Sequence, residues 1–176
     1  MNGKKELTIK TVKFEYIDYP EFITKGFHSR FIFPVAKEIC KGVGLDIGCN
    51  NPEWTFPGAY GVDVDYPEKG INAMNIPESQ YGWDYIFSSH YLEHIPDYMA
   101  ALRHWTEHLK QGGILFLYLP HADCAYWKPW KMPTRKHLHQ FDASQVREML
   151  GSLGYKNVFA SGRDAAYSFC VYGEKR

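Results

Sequence analysis

The stretch Val43-Gly44-Leu45-Asp46-Ile47-Gly48-Cys49-Asn50, followed by Tyr60-Gly61-Val62-Asp63-Val64-Asp65, limits what this chain can fold into more than any other. It reads as a buried strand breaking into a glycine turn, then a second buried strand ending on an acid. This is the layout of a nucleotide-type cofactor site at the carboxyl ends of parallel strands. Ribose hydroxyls need an anionic acceptor there, and closely approached backbone needs a residue without a side chain. G-x-G-x-x-G is absent, and Asp46 lies inside the strand, which separates the pattern from the dinucleotide fingerprint.

Around this core, strand and helix patterns alternate. Leu7, Ile9, Val12, Phe14 and Tyr16 approach a two-residue period, so residues 6–18 read as an edge strand or extended arm, ended by Tyr19-Pro20. Residues 27–40 carry apolar positions at helical spacing, with Ser29 as a cap and Pro34 as a blemish. The linker 51–58, with two prolines, predicts a loop or single turn in place of a helix. Residues 71–76 predict a short third strand, 83–89 a fourth and 114–119 a fifth. A helix spans 97–111 with Gly112-Gly113 as its stop, and Asp142 caps another through Leu153, which Gly154 terminates. Residues 155–161 and 165–172 predict a closing antiparallel hairpin.

Composition narrows the function. A chain of 176 residues with 45% apolar and 16% aromatic residues supports one packed domain. Net charge is zero, so no bulk attraction to nucleic acid or an anionic membrane is implied. There is no signal-peptide pattern and no long uncharged apolar run, and a soluble, cytoplasmic protein is the expectation. Cys40, Cys49, Cys124 and Cys170 show no C-x-x-C pairing and read as core thiols in a reducing compartment.

Leu45-Asp46-Ile47-Gly48-Cys49 and the acid Asp63 resemble motif I and the acidic loop of class I S-adenosylmethionine-dependent methyltransferases, of the type 11-like small-molecule and glycan branch. Ser89-His90-Tyr91-Leu92-Glu93-His94-Ile95-Pro96-Asp97 strengthens the resemblance, since such proteins carry Leu-Glu-His after the fourth strand. Lys110-Gln111-Gly112-Gly113 is similar too. Asn50 replaces a family glycine, and because Asn tolerates positive φ a left-handed turn survives. The resemblance covers roughly residues 27–173. It implies an α/β fold with a Rossmann-like seven-stranded sheet, parallel except for a C-terminal antiparallel hairpin, and helices on both faces. Residues 1–26 are then an N-terminal arm or edge strand, and 27–176 the methyltransferase domain.

The same layout implies S-adenosyl-L-methionine as cofactor. Asp63, followed by Val64, would take the ribose hydroxyls, with Asp65 a substitute. Gly48, Cys49 and Asn50 would meet the methionine end, and Asp46 would hold nearby loop amides or the cofactor's amino group through water. Asn75 and Ile76 would flank adenine, while Ser89 and His90 line the wall near the sulfonium. Since the cofactor is already activated, the protein supplies alignment and, for oxygen or nitrogen acceptors, a base. His90, His121 and His139 are the catalytic candidates, with His94 a further imidazole.

In ubiquinone-pathway O-methyltransferases, which the 90–94 segment resembles, Glu, Glu and His at these positions hold a divalent cation. Here His90 replaces the first Glu, and hydrogen bonds from Glu93 and His94 pinning the next helix are the favoured account, so no metal ligand is assigned. Tyr126, Trp127 and Trp130, with Lys128, Lys131, Arg135 and Lys136, suit either an acceptor ring and its anionic group or cover for the sheet edge. The expected partner is a small-molecule or glycan acceptor, not nucleic acid or membrane. The helix-poor linker leaves an open pocket that a second copy of the chain could complete. The alternative is a SAM-binding scaffold that has lost catalysis, suggested by Asn50 and the missing helix.

Overall fold

In the computed structural model, which describes residues 10–64, 72–128 and 137–176, the chain runs through β1 (Thr11–Phe14), β2 (Ile17–Pro20), α1 (Phe33–Ile39), β3 (Gly44–Ile47), β4 (Tyr60–Val62), β5 (Trp83–Ser89), α2 (Tyr98–His108), β6 (Leu109–Pro120), α3 (Ala143–Ser152), β7 (Tyr155–Ala160) and β8 (Ser168–Lys175). Six strands form one sheet in the order β4-β3-β5-β6-β8-β7. The first four are parallel, and β8 and β7 add antiparallel. The α/β, Rossmann-like class is as the sequence implies. The strand count is six among the described residues instead of seven.

Alternation along the strands sets the layers. Leu115, Leu117 and Leu119 of β6 join Leu45, Ile47 and Ile86 in a core with Leu102 and Trp105 of α2 and Val146 and Leu150 of α3. Phe116 and Tyr118 point the other way, into a core with Tyr85, Phe87, Phe56 and Ala36 of α1. Both sheet faces are covered by helix, as a parallel sheet requires.

Several local expectations are corrected. Glu15 and Tyr16 both take positive φ, 46° and 68°, which gives a two-residue turn matching strand twist. Residues 11–20 are therefore a separate two-stranded hairpin, not an edge of the main sheet. The 27–40 helix splits into a 3-10 turn, His28–Phe31, and α1, with Pro34 in the first turn of α1, where its missing N–H costs nothing. Ser29 is not its cap. No third strand forms among the described residues. Instead the Asn72 side chain accepts from the Met74 amide at 2.8 Å, closing a turn bridged to Asn75. Helix α2 stops at His108, and Gly112-Gly113 falls within β6 instead of ending the helix. Lys175 Nζ donates to the carbonyls of Thr106 (2.6 Å) and Leu109 (2.7 Å) at that junction.

Other expectations hold. The 51–58 linker contains one 3-10 turn, Pro52–Trp54, capped by the Asn51 side chain. Asp142 caps α3 through the Gln145 amide at 2.8 Å, and the C-terminal hairpin is present. All four cysteines are buried free thiols. Asp65, Trp130, Lys131, Arg135 and Lys136 lie outside the described residues. No helix among the described residues is long and apolar enough to cross a membrane.

The β1–β2 hairpin docks against the segment after β6. Tyr19 and Ile23 pack with Cys124, Ala125 and Trp127, and the Tyr19 hydroxyl accepts from the Ala125 amide at 3.1 Å. Docking carries residues 25–29 to the carboxyl edge of the sheet.

Candidate active site

The turn after β3 is built from backbone that only certain residues tolerate. Gly48 has φ of 87° and Asn50 of 65°, so the left-handed turn does survive the Asn. A Cβ on Gly48 would overlap the Tyr91 ring. The glycine thus admits a packed tyrosine, where sequence alone suggests close approach by a ligand. The turn is fastened to β4 by the Gly48 amide donating to the Val62 carbonyl at 2.7 Å. The Asn50 amide donates to Asp63 Oδ2 at 2.8 Å, and the Val64 amide to Oδ1 at 2.7 Å.

Asp46 is buried within β3, and its carboxylate accepts from the Phe56 amide at 2.6 Å. It ties down the short linker in the way expected of a loop-amide holder. Burial pushes its pKa up to about 7, the Phe56 amide pulling it down and the charge of Asp63 pushing it further up.

A cavity of about 840 Å³ opens beside the turn, in the size range of small-ligand pockets. Gly48, Cys49 and Asn50 form one side, Ser89, His90, His94 and Pro96 another, and Lys25 to Ser29 with Trp54 a third. Phe27 stacks on Trp54, ring centroids 5.3 Å apart and ring planes nearly parallel. His90, with φ of 51°, is stacked on His28 at 4.8 Å and abuts Trp127. Its Nε2 is 2.9 Å from Ser168 Oγ. Left-handed residues thus concentrate on the cavity wall, where Gly48, Asn50, Phe27 and His90 meet, as strained backbone does at binding sites.

Of the three candidate bases, only His90 lines this cavity among the described residues. His121 faces a small separate pocket, its Nδ1 accepting from the Asp123 amide at 3.1 Å. His139 borders that same pocket, with Nε2 3.0 Å from the Ile95 carbonyl. Asn75 is held in the turn with Asn72, and Ile76 is buried in the core beneath it. Val64 is exposed beyond the end of β4. Trp127 is buried against His28 and His90, and Tyr126 meets Phe14, so the described part of the aromatic loop packs the hairpin. Hydrogen bonding does not explain Glu93, whose carboxylate oxygens have no hydrogen-bond partner among the described residues. The expected pin on α2 is absent from that side chain.

Sequence reasoning missed Lys25, Gly26, Phe27, His28 and Trp54. They reach the wall through docking of the hairpin, and the only signal is the local density of aromatic residues between Phe27 and Phe33.

Comparison with known proteins agrees with this fold. The profile of the family described as Methyltransferase domain matches residues 29–159. Demethylmenaquinone methyltransferase of Staphylococcus haemolyticus (strain JCSC1435) is 24% identical over 187 aligned positions, covering 89% of this chain and 75% of the relative. A SAM-dependent methyltransferase of Thermotoga maritima, a possible histamine N-methyltransferase, shares the fold with a TM-score of 0.66 and 16% identity, covering 88% of this chain and 92% of the other. Magnesium protoporphyrin IX methyltransferase of Synechocystis PCC 6803, solved with bound SAM, aligns with a TM-score of 0.57 and 16% identity over 89% and 85% of the two chains.

Proposed function

Because the chain belongs to the methyltransferase domain family and is an S-adenosyl-L-methionine-dependent methyltransferase, we propose that it methylates an oxygen or nitrogen of a small-molecule or glycan acceptor seated in the cavity between the Gly48–Asn50 turn and His90. The cofactor supplies the activated methyl group. The turn at Gly48, Cys49 and Asn50 and the carboxylate of Asp63 would hold it, with Ser89 beside its reactive end and Asn75 and Ile76 toward adenine. The fit is supported by the left-handed turn, by a carboxylate at the end of β4 within reach of that turn, and by a cavity of matching size.

The observation that carries the reading is His90. With His94 it is one of two candidate bases on the wall among the described residues, and of these its ring is the one fixed on two sides, by His28 and Ser168. A held imidazole can take the proton that an oxygen or nitrogen acceptor releases. The aromatic wall of Phe27 and Trp54 suits a flat or ring-shaped acceptor by stacking.

Calorimetry with S-adenosylhomocysteine, followed by turnover of hydroxyl-, amine- and carbon-acid-bearing ring compounds, tests this. Binding with turnover of a hydroxyl or amine acceptor supports it. Absence of binding at millimolar ligand, or turnover of carbon acids alone, sinks it. Binding without any turnover would favour a scaffold.

A further inference from the structure

The carboxylate of Glu93 lies fully inside the fold, and neither oxygen has a hydrogen-bond partner among the described residues. Burying a carboxylate in this way is costly unless a cation compensates it. What surrounds it is imidazole. Oε1 stands 3.8 Å from His94 Nε2, 3.8 Å from His137 Nε2 and 3.8 Å from His90 Nδ1. These separations are too long for hydrogen bonds. They approach the spacing of atoms sharing an ion, since two ligands at about 2.1 Å from a tetrahedral metal lie about 3.4 Å apart.

One ligand atom from each of Glu93, His94 and His137 falls within 4.8 Å of the others. The backbone fixes this meeting of distant segments. The Glu93 carbonyl accepts from the amides of Leu138 (2.8 Å) and His139 (3.2 Å), tying the residue after His137 to the one that bears the carboxylate.

We propose that Glu93, His94 and His137 are the three protein ligands of a divalent transition-metal ion of zinc's class, bound at the edge of the cavity. Two imidazoles and one carboxylate suit zinc, cobalt or ferrous iron and disfavour magnesium. Three protein ligands leave an open position, the pattern of reactive metal sites. His94 and His90 both line the cavity, so that position faces it. The ion would there bind the acceptor oxygen or nitrogen and lower its pKa, a step that rests on the methyl-acceptor reading above. Metal binding does not rest on it. His90 stays at the rim, its Nε2 directed to Ser168.

Titration of the metal-stripped full chain with Co²⁺, followed by visible absorption, tests the site. One equivalent is expected to give the intense bands of four- or five-coordinate Co²⁺, displaced by Zn²⁺. His94→Ala and His137→Ala should each weaken Co²⁺ binding beyond the roughly 10–100-fold typical of a lost outer-shell partner, with thermal unfolding of the metal-free protein showing a retained fold. Only the weak spectrum of six-coordinate Co²⁺ in the parent protein, or undiminished binding in both folded variants, would overturn the proposal. Intact bands in a protein that fails to bind S-adenosylhomocysteine would support the metal site and overturn the methyl-transfer reading instead.

Discussion

The Asn50 amide donates to Asp63 Oδ2 at 2.8 Å, joining the glycine turn after β3 to the acid that ends β4. These are the two positions proposed to hold a cofactor across the sheet edge, and one hydrogen bond holds them in register. Asp63 Oδ1 is engaged in turn by the Val64 amide, so the carboxylate is oriented before any ligand arrives. Preorganisation of this kind lowers the ordering cost of binding.

Asp63→Ala is therefore expected to act twice. It removes the acceptor proposed for the ribose hydroxyls, and it frees the Asn50 and Val64 amides. S-adenosylhomocysteine affinity should fall by about 10-fold or more, and stability by about 1–3 kcal/mol, the usual loss for two hydrogen bonds. Calorimetry and chemical denaturation read the two effects separately. Unchanged affinity would remove Asp63 from the site.

Gly48→Ala should be among the more damaging single-methyl changes in the chain. The backbone there is left-handed, and the added Cβ would overlap the Tyr91 ring. The expected loss is about 1–3 kcal/mol from strain and overpacking, measured as a lowered unfolding midpoint. Gly48→Ala with Tyr91→Ala should recover only the packing part.

Features set by near neighbours in sequence could be read before the fold was known. The cap of Asp142 on the Gln145 amide, the left-handed Asn50 and the short 3-10 turn after Asn51 each depend on residues a few positions apart. Features set by docking could not. Phe27 and His28 reach the cavity because Tyr19 anchors a hairpin on Ala125, and His137 meets Glu93 through backbone bonds between segments remote in sequence. The missing third strand is an intermediate case, in which the Asn72 side chain competes locally with the sheet for a backbone amide.

His90→Asn should leave S-adenosylhomocysteine affinity within a few-fold of the parent and lower kcat by about 10²-fold or more, the range for a lost general base. The equivalent changes at His121 and His139, which face the smaller pocket, should have little effect on kcat. The acceptor found in the turnover screen supplies the assay. A larger loss at His139 than at His90 would remove His90 from the role of base.

The last expectation concerns pH. Burial raises the Asp46 pKa from an ordinary 3.8 to about 7 in the folded chain. Between those values the folded state binds a proton that the unfolded state has released, so stability falls as pH rises. The contribution is fully present below about pH 4 and is lost as pH climbs through about 7. Asp46→Asn keeps an oxygen to accept from the Phe56 amide but cannot ionise, so its denaturation midpoint should vary less over that window and should exceed the parent's at the alkaline end. Parallel denaturation curves for the two proteins from pH 4 to 8 would show instead that Asp46 stays charged in the folded chain, held by the Phe56 amide.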